Sequence, residues 1–259
     1  QKWHCWISNK GGYSIYSLFK KVNVNRELYA ELKGIFFVPK EVGDEKVEVA
    51  ILPKEFIPLW KSKRSLYRGH ALKFLKDRGF DNYDIKKYKI GYCEDGLYQH
   101  RIIIPSHDED GVLNYFVGRS FMESGMKYKN PPVQKDIIGF DLYVNWDEPI
   151  ILCEGVFDAM AIKNNSIPLF GKTILPKLYD KIVEKRVKQV FISLDDDAFK
   201  SSLEIISKLM ALDIDVRFVK LQGKDPSDLG YLQMIDQVLL SKEVNFKELM
   251  RMKIYGNKR

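Results

Sequence analysis

The sequence predicts a basic α+β region followed by an α/β domain whose mostly parallel sheet is flanked by helices. Three observations lead there. Between 147 and 235, short apolar runs alternate with amphipathic stretches, and strands alternating with helices imply βαβ units. Residues 51–146 lack that alternation and instead gather aromatic residues, basic residues and Gly or Pro turns. The 259-residue chain is 45% hydrophobic and 30% charged, which supplies a folded core and excludes a disordered chain.

The elements follow in order. PIILC (149–153), SIPLF (166–170), QVFISL (189–194) and DVRFVKL (215–221) read as strands. FDAMAIKNN, LYDKIVEKR and AFKSSLEIISKLMAL between them read as helices, and Leu203, Ile206, Leu209 and Met210 recur at helical spacing. The amphipathic tail from about 231, with FKELMRMKIYG near its end, reads as a closing helix. These changes of rhythm divide the chain into 1–50, 51–146, 147–235 and 236–259. There is no internal repeat and no low-complexity tract.

Composition narrows the class. A net charge of +7 from 42 Lys+Arg, with a pI near 9.0, points to a polyanionic partner. Three widely spaced cysteines, Cys5, Cys93 and Cys153, are no disulfide framework, and a reducing cytoplasm is expected. No apolar run approaches the roughly 18–20 residues of a membrane span, so no membrane partner is expected, and no secretory signal opens the chain. Because Gln1 rather than Met comes first, the chain is expected to be a fragment of a longer product.

The acids carry the chemistry. Glu154 follows the strand PIILC, and Asp195 to Asp197 follow QVFISL in the stretch LDDDA. Asp225 and Asp228, in KDPSDLG, follow the last strand. All carboxyl ends of a parallel sheet lie on one edge, where ligands bind, so acids distant in sequence converge there. The intervals of 41 residues from Glu154 to Asp195 and 30 from Asp195 to Asp225 fit whole crossovers of about 30 residues or more. Such a cluster needs a counter-charge, and hard divalent cations take oxygen ligands. Alternate residues of an extended segment point the same way, so Asp195 and Asp197 are expected to form the facing pair, with Asp196 turned elsewhere. The alternatives are a helix cap at Asp197, a first-turn acid at Asp158 and an Asp-Pro turn in KDPSD.

EGVFDAMA, SLDDDA and KDPSDLG, in that order, resemble the TOPRIM domain shared by bacterial-type primases, topoisomerases and some nucleases. By position Glu154 matches its glutamate, Asp195 and Asp197 its D-x-D, and Asp225 a further acid; Asp228 is offset from the family's pattern. ALKFLKDRGF, IGY, RIIIP, DEDGVLNYFVGRSF, KYKNPP and GFDLYV resemble, in order, the catalytic core of bacterial and phage replicative primases. That resemblance covers roughly 50–235. It implies a basic subdomain at 51–146 and a TOPRIM domain at 147–235, with a helical tail at 236–259.

The resemblance implies a DNA-directed RNA polymerase making short RNA primers on single-stranded DNA for replication. Its substrates are ribonucleoside triphosphates. In the reaction a 3′-hydroxyl attacks the α-phosphorus of the incoming nucleotide and pyrophosphate leaves. Glu154, Asp195 and Asp197 are the expected catalytic acids, and with Asp225 and Asp228 the expected ligands of Mg²⁺, for which Mn²⁺ can substitute. Arg101, Arg119, Lys127, Lys129 and Asn130 are expected to line a nucleotide and template cleft. Core packing is the expected role of Tyr115 and Tyr128, with base stacking the alternative for either. HCWISNKGG resembles half of the primase zinc ribbon, but Ser8 stands at the partner spacing from Cys5, so 1–50 is expected to be a remnant of that module plus linker, without zinc. A replicative helicase is an expected partner through segments this chain lacks, in a bacterial or phage-infected cytoplasm. The rival classes are a TOPRIM nuclease and a non-catalytic single-strand binder.

Overall fold

The computed structural model describes residues 3–5, 10–12, 49–221 and 226–256, with side chains for 49–221 and 231–256. The chain divides into two compact units, Gln1–Val47 and Glu48–Arg259. In the first, β1 (Trp3–Cys5) and β2 (Lys10–Gly12) pair antiparallel, with His4 opposite Gly11. The side chains of His4, Cys5 and Ser8, on which the zinc expectation rests, lie outside the described residues.

The second unit holds two sheets. An antiparallel meander runs in chain order through β3 (Ile57–Pro58), β4 (Gly91–Cys93), β5 (Arg101–His107), β6 (Leu113–Ser120) and β7 (Tyr128–Lys129). Every residue of β5 is buried, which suits an Ile-rich strand covered on both faces. Pro105 is tolerated inside β5 because pairing with β4 extends only to Ile103, leaving β6 as its neighbour there. Two helices, α1 (Leu66–Lys76) and α2 (Asn82–Lys87), intervene between β3 and β4. Ser65 caps α1 by accepting from the Arg68 amide, and Asp81 with Asp84 forms a reciprocal capping box on α2.

The second sheet is wholly parallel. Its strands are β8 (Ile150–Cys153), β9 (Ser166–Pro168), β10 (Gln189–Ser193) and β11 (Asp215–Phe218), in the order β11-β10-β8-β9. Crossovers run through α3 (Val156–Ile162), α4 (Pro176–Glu184) and α5 (Phe199–Met210). Two further helices, α6 (Pro226–Leu240) and α7 (Phe246–Tyr255), close the unit. Ile150, Leu152, Val190 and Ile192 pack with Leu178 and Ile182 of α4 and Leu203, Ile206 and Leu209 of α5. Ile151, Cys153 and Phe191 pack on the opposite face with α3 and with Met234 and Val238 of α6. Period-two alternation with both faces apolar is why these strands read as continuous hydrophobic runs.

The α3 side of this core is continuous with the meander, since Ile102, Ile104, Tyr115 and Val117 belong to the same cluster. Phe157 of α3 meets Phe74 at 6.2 Å between ring centroids and Phe80 at 6.0 Å. Lys163, ending α3 in a left-handed conformation, donates to buried Asp84 of α2 at 2.9 Å. Lys181 of α4 bonds Glu109, in the β5–β6 turn, at 2.7 Å. Burial pushes the Cys93 thiol up to about 12, with Glu55 and Asp95 adding to it. That keeps Cys93 in the unreactive thiol form.

Candidate functional site

The strand order sets the position of the site. From β8 the chain moves outward to β9, whereas from β10 it moves the other way to β11. The gap between the ends of β8 and β10 is therefore the topological switch point, where an open α/β sheet forms a crevice. Glu154 is the first residue after β8, and Asp195 lies two beyond β10.

Glu154, Asp195 and Asp197 each place a carboxylate oxygen so that all three lie within 4.8 Å of one another. Glu154 and Asp195 are half-buried and Asp197 is exposed. The expected pair is thus together, but not through strand alternation. Asp195 is extended, and Asp196–Ala198 then turn as a 3-10 helix, which returns Asp197 toward the cluster. Asp197 does not cap α5: the N-cap is Ala198 and carries no side-chain bond. Asp197 instead accepts from Lys172 Nζ at 2.6 Å.

The charges of the cluster act on their neighbours. The Lys172 ammonium is held above its ordinary pKa, first by the bond to Asp197 and then by the charges of Glu154, Asp197 and Asp195. Beneath the site, burial and then Asp158, Asp195 and Glu154 drive the Cys153 thiol well up. Three hard oxygen donors this close match the chemistry of a divalent cation site, and a cationic nitrogen already lies against one of them.

Asp158 serves the turn. Its Oδ2 accepts from the Gly155 amide at 3.0 Å, as a first-turn acid closing the start of α3. Gly155 is extended, a conformation open to any residue, so its value lies in close approach: a Cβ there meets Asp158 Oδ2 at 3.2 Å. Asp225 lies outside the described residues, as does the side chain of Asp228 in α6.

The basic residues separate into two roles. Arg119 and Lys127 line an open pocket of about 440 Å³ together with Phe74, Ser120, Phe121 and Met122. The Arg119 guanidinium lies 4.5 Å over the Tyr128 ring and 6.0 Å from Phe74. Burial raises the Tyr128 hydroxyl pKa and Asp158 adds to that rise, while Arg119 and Arg78 oppose it. The residue as a whole is 48% exposed, so Tyr128 is not the core residue expected from sequence, although its hydroxyl is turned inward. Tyr115, in contrast, is fully buried against Phe170.

Arg101 is buried and donates to the carbonyls of Met126 at 2.9 Å and Lys127 at 3.3 Å. It braces the segment that carries Lys127. Lys129 reaches the Leu97 carbonyl at 3.0 Å, and the Asn130 carbonyl accepts from the Tyr98 hydroxyl at 3.3 Å. Gly118 precedes Arg119 because the Lys129 carbonyl crosses it, and a Cβ there would meet that oxygen at 2.4 Å. Gly118→Ala is therefore expected to push β7 off β6 at a cost of about 1–3 kcal/mol, read by denaturant unfolding. Unchanged stability would contradict this packing.

Sequence reasoning missed Lys172 and the Phe74–Arg119–Tyr128 stack. Lys172 carried a usable signal, since it follows a predicted strand on the same sheet edge as the acids. The stack carried none, because it joins residues from α1, β6 and β7.

No protein-family model matches the chain. The Mycoplasma genitalium protein MG010 is 30% identical over 188 residues, covering 66% of this chain and 83% of that protein. A DNA primase of Clostridium acetobutylicum is 27% identical over 179 residues, 61% of this chain, yet the match spans only 29% of that primase. Among solved structures, a DnaG primase catalytic domain bound to ssDNA superposes with a TM-score of 0.62 at 17% identity, covering 74% of this chain and 77% of that one. At that identity the likeness establishes the fold.

Proposed function

Because the chain belongs to one family with MG010 and has the fold of the DnaG-type primase catalytic core with its TOPRIM domain, we propose that it is a primase. In this reading it is a DNA-directed RNA polymerase that makes short RNA primers on single-stranded DNA. The observation that carries the reading is the convergence of Glu154, Asp195 and Asp197 at the switch point.

Glu154, Asp195 and Asp197 hold Mg²⁺ or Mn²⁺, and Asp225 and Asp228 belong to the same proposal as acids following β11. A divalent cation supplies positive charge against the phosphoryl oxygens that become more negative during nucleotidyl transfer. The chain's own residues do the positioning. Arg119 and Lys127 bind phosphate oxygens of template or nucleotide, Arg bidentately and Lys as a point charge. Arg101 acts through the backbone it braces, and Lys129 and Asn130 shape the strand beside the pocket. Tyr128 offers a stacking face for a base. The net charge of +7 favours a polyanionic template. Among the described residues no helix is long and apolar enough to cross a membrane. A bacterial or phage-infected cytoplasm and a replicative helicase partner complete the proposal.

The test is RNA synthesis on mixed-sequence single-stranded DNA with four labelled ribonucleotides, a priming dinucleotide and Mg²⁺ or Mn²⁺. Short RNA products are expected. Degraded template without RNA would move the assignment to a nuclease. Binding without any chemistry would move it to a single-strand binder.

A further inference from the structure

We propose that Lys172 is a built-in counter-ion of the acid cluster, which a divalent cation displaces when it binds; this rests on the reading of that cluster as a metal site. Lys172 lies in the loop after β9, on the sheet edge that carries the acids. Its ammonium donates to Asp197 Oδ2 at 2.6 Å, and a carboxylate oxygen of Asp197 lies within 4.8 Å of those of Glu154 and Asp195. Three carboxylates within 4.8 Å repel one another, and Lys172 sets a cation against one of them.

The residue type fits a displaceable role. A lysine ammonium is a compact charge on a flexible stem, so it occupies a cation position and leaves it by rotation about side-chain bonds. Lys172 is 37% exposed and Asp197 74% exposed, so water meets both groups once the pair opens. Two other roles make opposite predictions. An incidental surface pair leaves metal affinity untouched when removed. A brace that aims Asp197 at the metal lowers affinity when removed. A competing cation raises affinity when removed.

The experiment is calorimetric titration of Mn²⁺ into the wild-type chain, Lys172→Met, Lys172→Arg and Asp195→Ala. Lys172→Met is expected to bind about two- to fivefold more tightly than wild type, the range of an exposed ion pair. Lys172→Arg keeps the charge and is expected to stay near wild type. Thermal unfolding supplies the second readout. Without metal, Lys172→Met unfolds at a lower temperature than wild type, and Mn²⁺ raises its midpoint by more. Equal or weaker Mn²⁺ affinity in Lys172→Met, with wild type binding normally, overturns the counter-ion role alone. A wild-type chain that takes up no Mn²⁺ overturns the metal-site reading and this proposal together.

Discussion

Asp195→Ala is expected to lower RNA synthesis by about a thousandfold or more while leaving the fold intact. Removal of one preorganised electrostatic group from a reacting centre typically costs a hundred- to a thousandfold, and loss of the bound cation costs further. Asp195 follows β10, the strand whose end forms one side of the switch point. Its carboxylate makes no cap bond to the 3-10 turn it precedes, so alanine removes no helix cap there. It also removes one of three mutually repelling charges. Activity and stability should therefore move apart. The rate collapses, and the metal-free thermal midpoint stays level or rises. A variant that retains more than about a tenth of the wild-type rate would contradict the assignment of Asp195. A variant that loses activity by unfolding would fail to support it.

Phe157→Ala is expected to have the largest effect on stability, about 3–5 kcal/mol, or a midpoint lowered by roughly 10 °C. Phe157 is 6% exposed and joins the two sheets of the second unit. Its ring is flanked by Phe74 and Phe80, and the Arg78 guanidinium lies 5.8 Å from it. Alanine leaves a cavity between α1 and α3 that backbone on both sides prevents from collapsing. The same cavity loosens the support beneath Glu154, just before α3, and Asp158, in its first turn. Phe157→Leu, which retains apolar volume, is expected to recover most of the loss. Equilibrium denaturation checks both. A cost below about 1 kcal/mol for alanine would show that the two sheets do not depend on this contact.

The parallel sheet was legible because both its faces are buried. PIILC is apolar throughout and QVFISL nearly so, with Ser193 before Leu194, and the helix that follows keeps a clear 3.6-residue stripe in Leu203, Ile206 and Leu209. The position of the acids was legible for a related reason: strand ends of a parallel sheet share an edge, whatever separates them in sequence. The local shape at Asp195–Asp197 was not. Extended backbone and a 3-10 turn both bring the first and third aspartates together, and sequence does not choose between them.

The meander was harder to read. β3, β4 and β7 have two or three residues each, and strands that short show no period. Arg101 was legible as a cation but not as a buried one. Its donors face carbonyls 25 and 26 residues later in the chain, a contact set by the β5–β6–β7 register. Tyr128 was misplaced for the same reason. Its exposure follows from the edge position of β7, which sequence spacing does not encode.

The most direct test of the central claim is electron paramagnetic resonance of Mn²⁺ titrated into the wild-type chain and into Asp195→Ala. Saturable loss of the free-ion signal is expected with wild type, at a stoichiometry of at least one, and no such loss with the variant. Equal uptake by both, or none by wild type, would contradict a metal site at Glu154, Asp195 and Asp197.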